Sequence, residues 1–226
     1  MTVLPPVAAV VFDMDGVLVD SEPMNFAAMR RMLGRHGIEY TDADDRRFRG
    51  RRNLDLYAWL RAERAGVPDD DVLDGAYTQT LTAMIRDACT PMAGVPAVLL
   101  ALRERGYRLA LASSSAPAVI AETLRALGAA GVFEAAVSGV EVAHGKPAPD
   151  IFLEAARRLG LAPARCLVVE DSRNGTLAAV RAGMACVAIP CAATRDEDFG
   201  EAHARLEALP ALLDLVPTSP LTPRAT

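Results

Sequence analysis

The chain has 226 residues, half of them hydrophobic, enough for one large domain or for a core with a smaller insert. A formal charge of −5 disfavours binding nucleic acid or an anionic membrane through the molecule as a whole. No apolar run approaches the ~20 residues of a membrane-spanning helix. The apolar start, Val3 to Phe12, contains Pro5 and Pro6 and follows no basic residue, unlike a signal peptide, so a cytoplasmic location is expected.

Val7 to Phe12, rich in β-branched residues, reads as a strand buried on both faces. It ends in Asp13, Met14, Asp15 and Gly16. Strand side chains two residues apart point the same way. Asp13 and Asp15 are therefore expected to project together from the strand's carboxyl end, where open α/β sheets place their ligands. Two like charges that close are unfavourable unless a cation or a shared proton offsets them, so the pair calls for a metal. The competing reading of the tetrapeptide is an exposed turn with a solvated acidic pair.

Four helices follow. Met24 to Arg35 carries Phe26, Met29 and Leu33 on one stripe, with Gly37 near its end. Thr41, ahead of Asp42 and Asp44, has the pattern of an N-cap with an acidic first turn. Leu54 to Arg64 stops at Gly66, and a longer helix runs from Asp70 to Arg86. From Pro91 onward the pattern becomes alternating. Helices are expected at Pro96 to Arg105, Ser115 to Leu127, Asp150 to Leu159 and Thr176 to Ala182. Strands are expected at Arg108 to Ala112, Ala135 to Ser138, Cys166 to Val169 and Ala185 to Ile189. Such alternation builds a parallel sheet with right-handed crossovers. Four helices separate the first strand from the rest of its sheet, so the helical unit is an insert. The expected architecture is an α/β core of residues 1–22 and 89–226, a helical cap of residues 23–88, and a frayed tail from Val216 to Thr226.

The cysteines, Cys89, Cys166, Cys186 and Cys191, form no C-x-x-C and stand at no zinc-ligand spacing, so they are read as reduced thiols. The basic residues are more informative. Of 24, only Lys146 is lysine. Lysine is a compact point charge with three rotatable donors, arginine a rigid planar fork. A place where only the ammonium fits would resist this chain's bias towards arginine.

The stretch V-F-D-M-D-G-V-L-V-D-S-E-P, Val11 to Pro23, resembles the first motif of the haloacid dehalogenase superfamily of phosphohydrolases and phosphomutases. L-A-S-S-S at Leu111 to Ser115, H-G-K-P-A-P-D at His144 to Asp150 and V-V-E-D-S-R-N-G at Val168 to Gly175 resemble its second, third and fourth motifs, in order. The resemblance implies a Rossmann-like core with Asp13 as nucleophile and Asp15 as general acid/base. It implies phosphate binding by Ser113, by the backbone of Ser114 and by Lys146. A Mg²⁺ ion would be held by Asp13, the backbone carbonyl of Asp15 and Asp171, with Glu170 either a ligand or one layer behind. Ser172, Asn174 and Gly175 shape the turn, and His144 is expected in solvent.

Within the superfamily the motifs and cap are similar to β-phosphoglucomutase and the sugar-phosphate phosphatases that resemble it. The mutase has a histidine where this chain has Asn25, and Arg51 and Arg52 are in no obvious register with its substrate-gripping arginine. A phosphatase acting on a small phosphorylated metabolite is therefore expected, with a phosphomutase or a non-catalytic member as alternatives. Arg46, Arg47, Arg49, Arg51 and Arg52 are open to three readings: a solvated cluster paired with Asp42, Asp44 and Asp45, a grip on an anionic group, or a nucleic-acid contact. Asn25, Arg51 and Arg52 are the candidate substrate contacts, and a monomer is expected.

Overall fold

The structure, a computed structural model, describes residues 4–48 and 51–220. Val3, Arg49 and residues 221–226 of the expected tail lie outside the described residues. Six strands form one parallel sheet: β1 (Ala9–Phe12), β2 (Arg108–Ser113), β3 (Ala135–Ser138), β4 (Cys166–Glu170), β5 (Ala185–Ala188) and β6 (Ala204–Arg205). Their order is β3-β2-β1-β4-β5-β6. The chain winds from β1 to one side and resumes at β4 on the other, which leaves a crevice at the carboxyl ends of the central strands. Phe12 pairs with Leu111 on one side and Val169 on the other, so Asp13, Ser113 and Glu170 emerge from neighbouring strand ends.

The period-2 pattern divides the core into two layers. Val10, Phe12, Leu109, Leu111, Leu167 and Val169 face one side. There they pack with α5 (Val95–Glu104), α6 (Pro117–Ala126) and α9 (Leu212–Leu215). Ala9, Val11, Ala110, Ala112, Val168 and Cys186 face the other, against α7 (Asp150–Arg158) and α8 (Arg173–Arg181). Small residues on that second face let α7 and α8 sit close, and Phe152 fills the space between, fully buried. Burial of a side chain that size contributes about 1.5–3 kcal/mol.

Between β1 and α5 lie α1 (Glu22–Gly34), α2 (Asp42–Phe48), α3 (Asn53–Glu63) and α4 (Asp70–Ala88). Leu56, Tyr57, Leu60, Leu73, Leu81 and Ile85 form their shared interior. Helix α4 packs on α1 within the insert and on α6 of the sheet layer, where Arg86 meets Glu122 at 3.4 Å. The Thr41 hydroxyl caps α2 by accepting from the Asp44 N–H at 3.2 Å.

Helix α8 begins three residues earlier than its apolar pattern suggests, because the Ser172 side chain accepts from the Gly175 N–H and caps it. The tail starts later than expected. Val216 is buried on the apolar stripe that includes Leu209 and Leu212, its carbonyl accepts from Arg105, and the Tyr107 hydroxyl donates to Pro217 at 3.1 Å. All four cysteines are free thiols. No helix among the described residues is long and apolar enough to cross a membrane.

Candidate active site

The crevice gathers three carboxylates and one ammonium. Asp13 follows β1, Glu170 ends β4, Asp171 is its neighbour, and carboxylate oxygens of the three lie within 4.8 Å of one another. Lys146 reaches in from the loop ahead of α7, 2 % exposed. Its Nζ donates to Asp13 Oδ1 at 2.5 Å, to Glu170 Oε1 at 2.6 Å and to the Ala112 carbonyl at 3.4 Å. It also lies 5.1 Å from the centre of the Phe152 ring.

Glu170 is fully committed. While Oε1 meets Lys146, Oε2 accepts from the N–H groups of Asp171 and Ser172 and from the Ser172 hydroxyl, each at 2.9 Å. Gly175 leaves room for this carboxylate, because a Cβ there would stand 1.7 Å from Oε1. Gly16 does the same for Asp171: it turns at φ +78°, and a Cβ would lie 2.2 Å from Asp171 Oδ2. The Thr194 hydroxyl is 3.4 Å from that oxygen.

Burial pushes the Asp13 carboxyl well above its ordinary range; Lys146 opposes the shift, and Glu170 and Asp15 add to it. Asp171 is likewise raised, by burial and then by Glu170 and Asp13. Burial alone would push the Lys146 ammonium down, but Asp13 and Glu170 against it leave it raised, so it stays charged. Three buried carboxylates against one ammonium leave an excess of negative charge when all are ionised. A hard divalent cation with oxygen ligands fits that donor set.

The Asp15 carboxylate is turned away from this cluster. Its Oδ1 accepts from the Ser21 hydroxyl and from Asn25 Nδ2 at 3.4 Å. Its Oδ2 accepts from the Ser113 hydroxyl at 3.4 Å and the Ser115 hydroxyl at 3.2 Å. Tyr77 of α4 donates to Asn25 Oδ1 at 3.3 Å, which fixes the amide with its N–H towards Asp15. Burial, then nearby Asp15, raises the Tyr77 phenol well above its usual value, so it remains a donor.

A cleft opens between these strand ends and the insert. Its walls include Asp13, Asp15, Lys146 and Asp171 from the core, and polar Asn25 and Asn53 from the insert. Ser114 and Ser115 line it, whereas Ser113 is fully buried and its hydroxyl accepts from the Ser115 N–H at 3.1 Å. His144 lies in solvent, 76 % exposed, with Nδ1 at 3.0 Å from Asp150.

Arg51 and Arg52 reach the cleft wall in different ways. Arg51 stacks on Phe48 at 5.5 Å, while Arg52 donates to backbone carbonyls of the core. Asp44, an expected partner of the arginine run, instead accepts from Thr41 and pairs with Arg64 at 3.5 Å. Ser21, Ser115, Tyr77 and Thr194 were not picked out by sequence as site residues. Only the two serines carried a signal, inside D-S-E-P and S-S-S.

A profile described as a haloacid dehalogenase-like hydrolase matches residues 7–183. The chain belongs to the haloacid dehalogenase-like hydrolases. It is similar to the fructose-1-phosphate phosphatase YqaB of Escherichia coli, 34 % identical over 78 % of this chain and 93 % of that one. Protein CbbY of Rhodobacter capsulatus is 33 % identical over 90 % and 94 % of the two chains. A CbbY variant of Rhodobacter sphaeroides, solved with xylulose-1,5-bisphosphate, superposes with a TM-score of 0.83 at 26 % identity, covering 89 % of this chain and 94 % of that one. This haloacid dehalogenase-like chain is a phosphoric monoester hydrolase.

Proposed function

We propose that this enzyme is a Mg²⁺-dependent phosphatase that hydrolyses a small sugar phosphate through an aspartyl-phosphate on Asp13. In this reading residues 1–22 and 89–226 form the catalytic core, and residues 23–88 form a cap over it. The observation that carries the reading is the buried charge imbalance around Asp13, with Lys146 donating to one of its carboxylate oxygens.

Asp13, lying beside the ammonium at a strand end, attacks phosphorus in line with the bond to the sugar oxygen. An O–P bond forms to Asp13 as the bond to the sugar breaks, and Asp15 gives its proton to the departing oxygen. Asp15 then takes a proton from water, which attacks the same phosphorus and releases inorganic phosphate and free Asp13. Lys146, Ser113, Ser114 and the start of α6 would stand around the phosphoryl oxygens and stabilise the charge there. Asp13, Asp171 and the Asp15 carbonyl would hold Mg²⁺, with Glu170 behind them holding Lys146. When bound, the ion supplies positive charge against the transferring group.

The sugar class rests on the relatives' substrates, and the polar cleft wall that includes Asn25 and Asn53 is in keeping with it. Asn25 also separates the phosphatase from the mutase reading, because an amide that donates to Asp15 cannot itself take up a proton. The test is phosphorus NMR with Mg²⁺ and a panel of β-glucose 1-phosphate, sugar 6-phosphates, fructose 1-phosphate and nucleoside monophosphates. Inorganic phosphate is expected from a sugar phosphate, and none from Asp13→Asn. Turnover surviving in Asp13→Asn would remove the nucleophile assignment, and glucose 6-phosphate from β-glucose 1-phosphate would make the enzyme a mutase.

A further inference from the structure

We propose that Arg52 is a positioning residue, a bolt that fastens the helical insert to the core loop carrying Lys146, and that it does not grip substrate. Its catalytic consequence rests on the phosphatase reading of the cleft; the bolt itself does not.

Arg52 stands immediately before α3 with extended backbone, φ −73° and ψ 148°. From there its side chain crosses to the sheet layer. Nη1 lies 3.2 Å from the Ala143 carbonyl and 3.4 Å from the Val142 carbonyl. Nη2 pairs with Asp55 at 3.2 Å, which steadies the fork from its own side. The two carbonyls lie 91 and 90 residues further along the chain, so the contact joins insert to core. Lys146 follows Ala143 by only three residues.

The core loop is shaped for this arm. At Gly145 a Cβ would stand 2.7 Å from Arg52 Nε, 2.8 Å from Cγ and 2.9 Å from Cδ, so the arginine stem lies where any side chain would be. Seated there, the Arg52 side chain is 16 % exposed. Reaching two successive carbonyls while pairing with Asp55 suits a planar fork; an ammonium is a single point. The neighbouring arginines behave otherwise: Arg47 and Arg51 lie over the Phe48 ring at 5.8 and 5.5 Å.

This commitment argues against a substrate contact. A phosphate gripped through Nη1 and Nη2 would have to displace both carbonyls and Asp55. Nε packs over Gly145, buried and without a hydrogen-bond partner. That unpaired N–H opposes the carbonyl bonds, so the bolt is weak and can open during turnover. Closing the cleft and steadying the Lys146 loop become one event, because the same guanidinium does both.

Hydrogen exchange of the metal-free protein is the direct test, with Arg52→Ala, Arg52→Gln and Gly145→Ala. Each is expected to exchange faster at residues 142–146 and at the start of α3, about tenfold or more, with the rest of the sheet unchanged. Arg52→Ala and Gly145→Ala remove one contact from its two sides, so the double variant is expected to exchange no faster than either single. Kinetics then separate bolt from grip. With a bolt, kcat/KM falls by the same factor for the best sugar phosphate and for p-nitrophenyl phosphate, which has no sugar to hold. Unchanged exchange in 142–146, additive variants, or a loss confined to the sugar phosphate would each overturn the proposal. The exchange result stands even where no phosphatase activity is found, so failure of the bolt and failure of the functional reading are distinguishable.

Discussion

Glu170→Gln tests how the buried cluster holds its ammonium. Glutamine has nearly the same shape, but its two ends differ. Three donors converge on the Oε2 position, the N–H groups of Asp171 and Ser172 and the Ser172 hydroxyl, each at 2.9 Å. The amide oxygen must stay there, which points the NH₂ at Lys146 Nζ across a gap now 2.6 Å wide. Donor then faces donor. Removing one partner of a buried charged pair costs about 3–5 kcal/mol. Part of that returns, because Glu170 repels Asp13 and Asp171 and helps hold both carboxyls raised. A net loss of roughly 2–3 kcal/mol in stability is expected. Lys146 also moves off Asp13, so kcat should fall about 100-fold, equivalent to about 2.7 kcal/mol in the barrier. Urea denaturation of the metal-free protein and steady-state turnover on the best phosphomonoester measure the two effects. A variant as stable as the parent, with turnover within about twofold, would show that Asp13 alone positions the lysine and would refute the reasoning.

Two further outcomes follow from the same cluster. Lys146→Arg keeps the charge but not the shape, and turnover measured by phosphate release is expected to drop about 1,000-fold; near-normal rates would show that any cation suffices. The raised carboxyls give a pH dependence of stability with a definite sign. Asp13 and Asp171 hold their protons more tightly folded than unfolded, so their contribution is full below the ordinary value of 3.8 and is lost as pH rises through the raised folded values. Mg²⁺ binds the ionised form, so the rise in Tm that it produces should be larger at about pH 7.5 than at about pH 5. Equal shifts at both pH values, by differential scanning calorimetry, would count against these carboxyls as the metal site.

Much of the fold was legible because its signals are local. β1 and β4 are short runs of apolar residues ending in acids, and helices such as α7 carry their apolar stripe within nine residues. β6 has two residues and α9 four, too short for a period to show, and both form against surfaces made elsewhere. The site divides in the same way. Asp13, Lys146 and Asp171 stand in motifs with a readable chemistry, whereas the groups around Asp15 are assembled by packing. Tyr77 reaches Asn25 across 52 residues only because α4 lies on α1. The bonds from Arg52 to two backbone carbonyls could not be foreseen, because such acceptors leave no mark in a sequence. The partners of the two Glu170 oxygens were equally hidden, because Lys146 comes from a loop 24 residues away.

The solitary lysine has a physical reason in the same geometry. An ammonium carries three N–H groups, and Lys146 has three acceptors: Asp13 Oδ1, Glu170 Oε1 and the Ala112 carbonyl. All three come from the ends of adjacent strands, β1, β4 and β2. A guanidinium placed there would bring five donors in one plane to acceptors that surround a point, and would leave buried N–H groups unpaired. At 2 % exposure no solvent could satisfy them. Several arginines instead face an open carboxylate at the surface, where the planar fork serves well, as in the pairs Arg157–Glu154 and Arg125–Glu122. The convergence of three strand ends on one small cation therefore accounts both for the position of Lys146 and for its being the chain's one lysine.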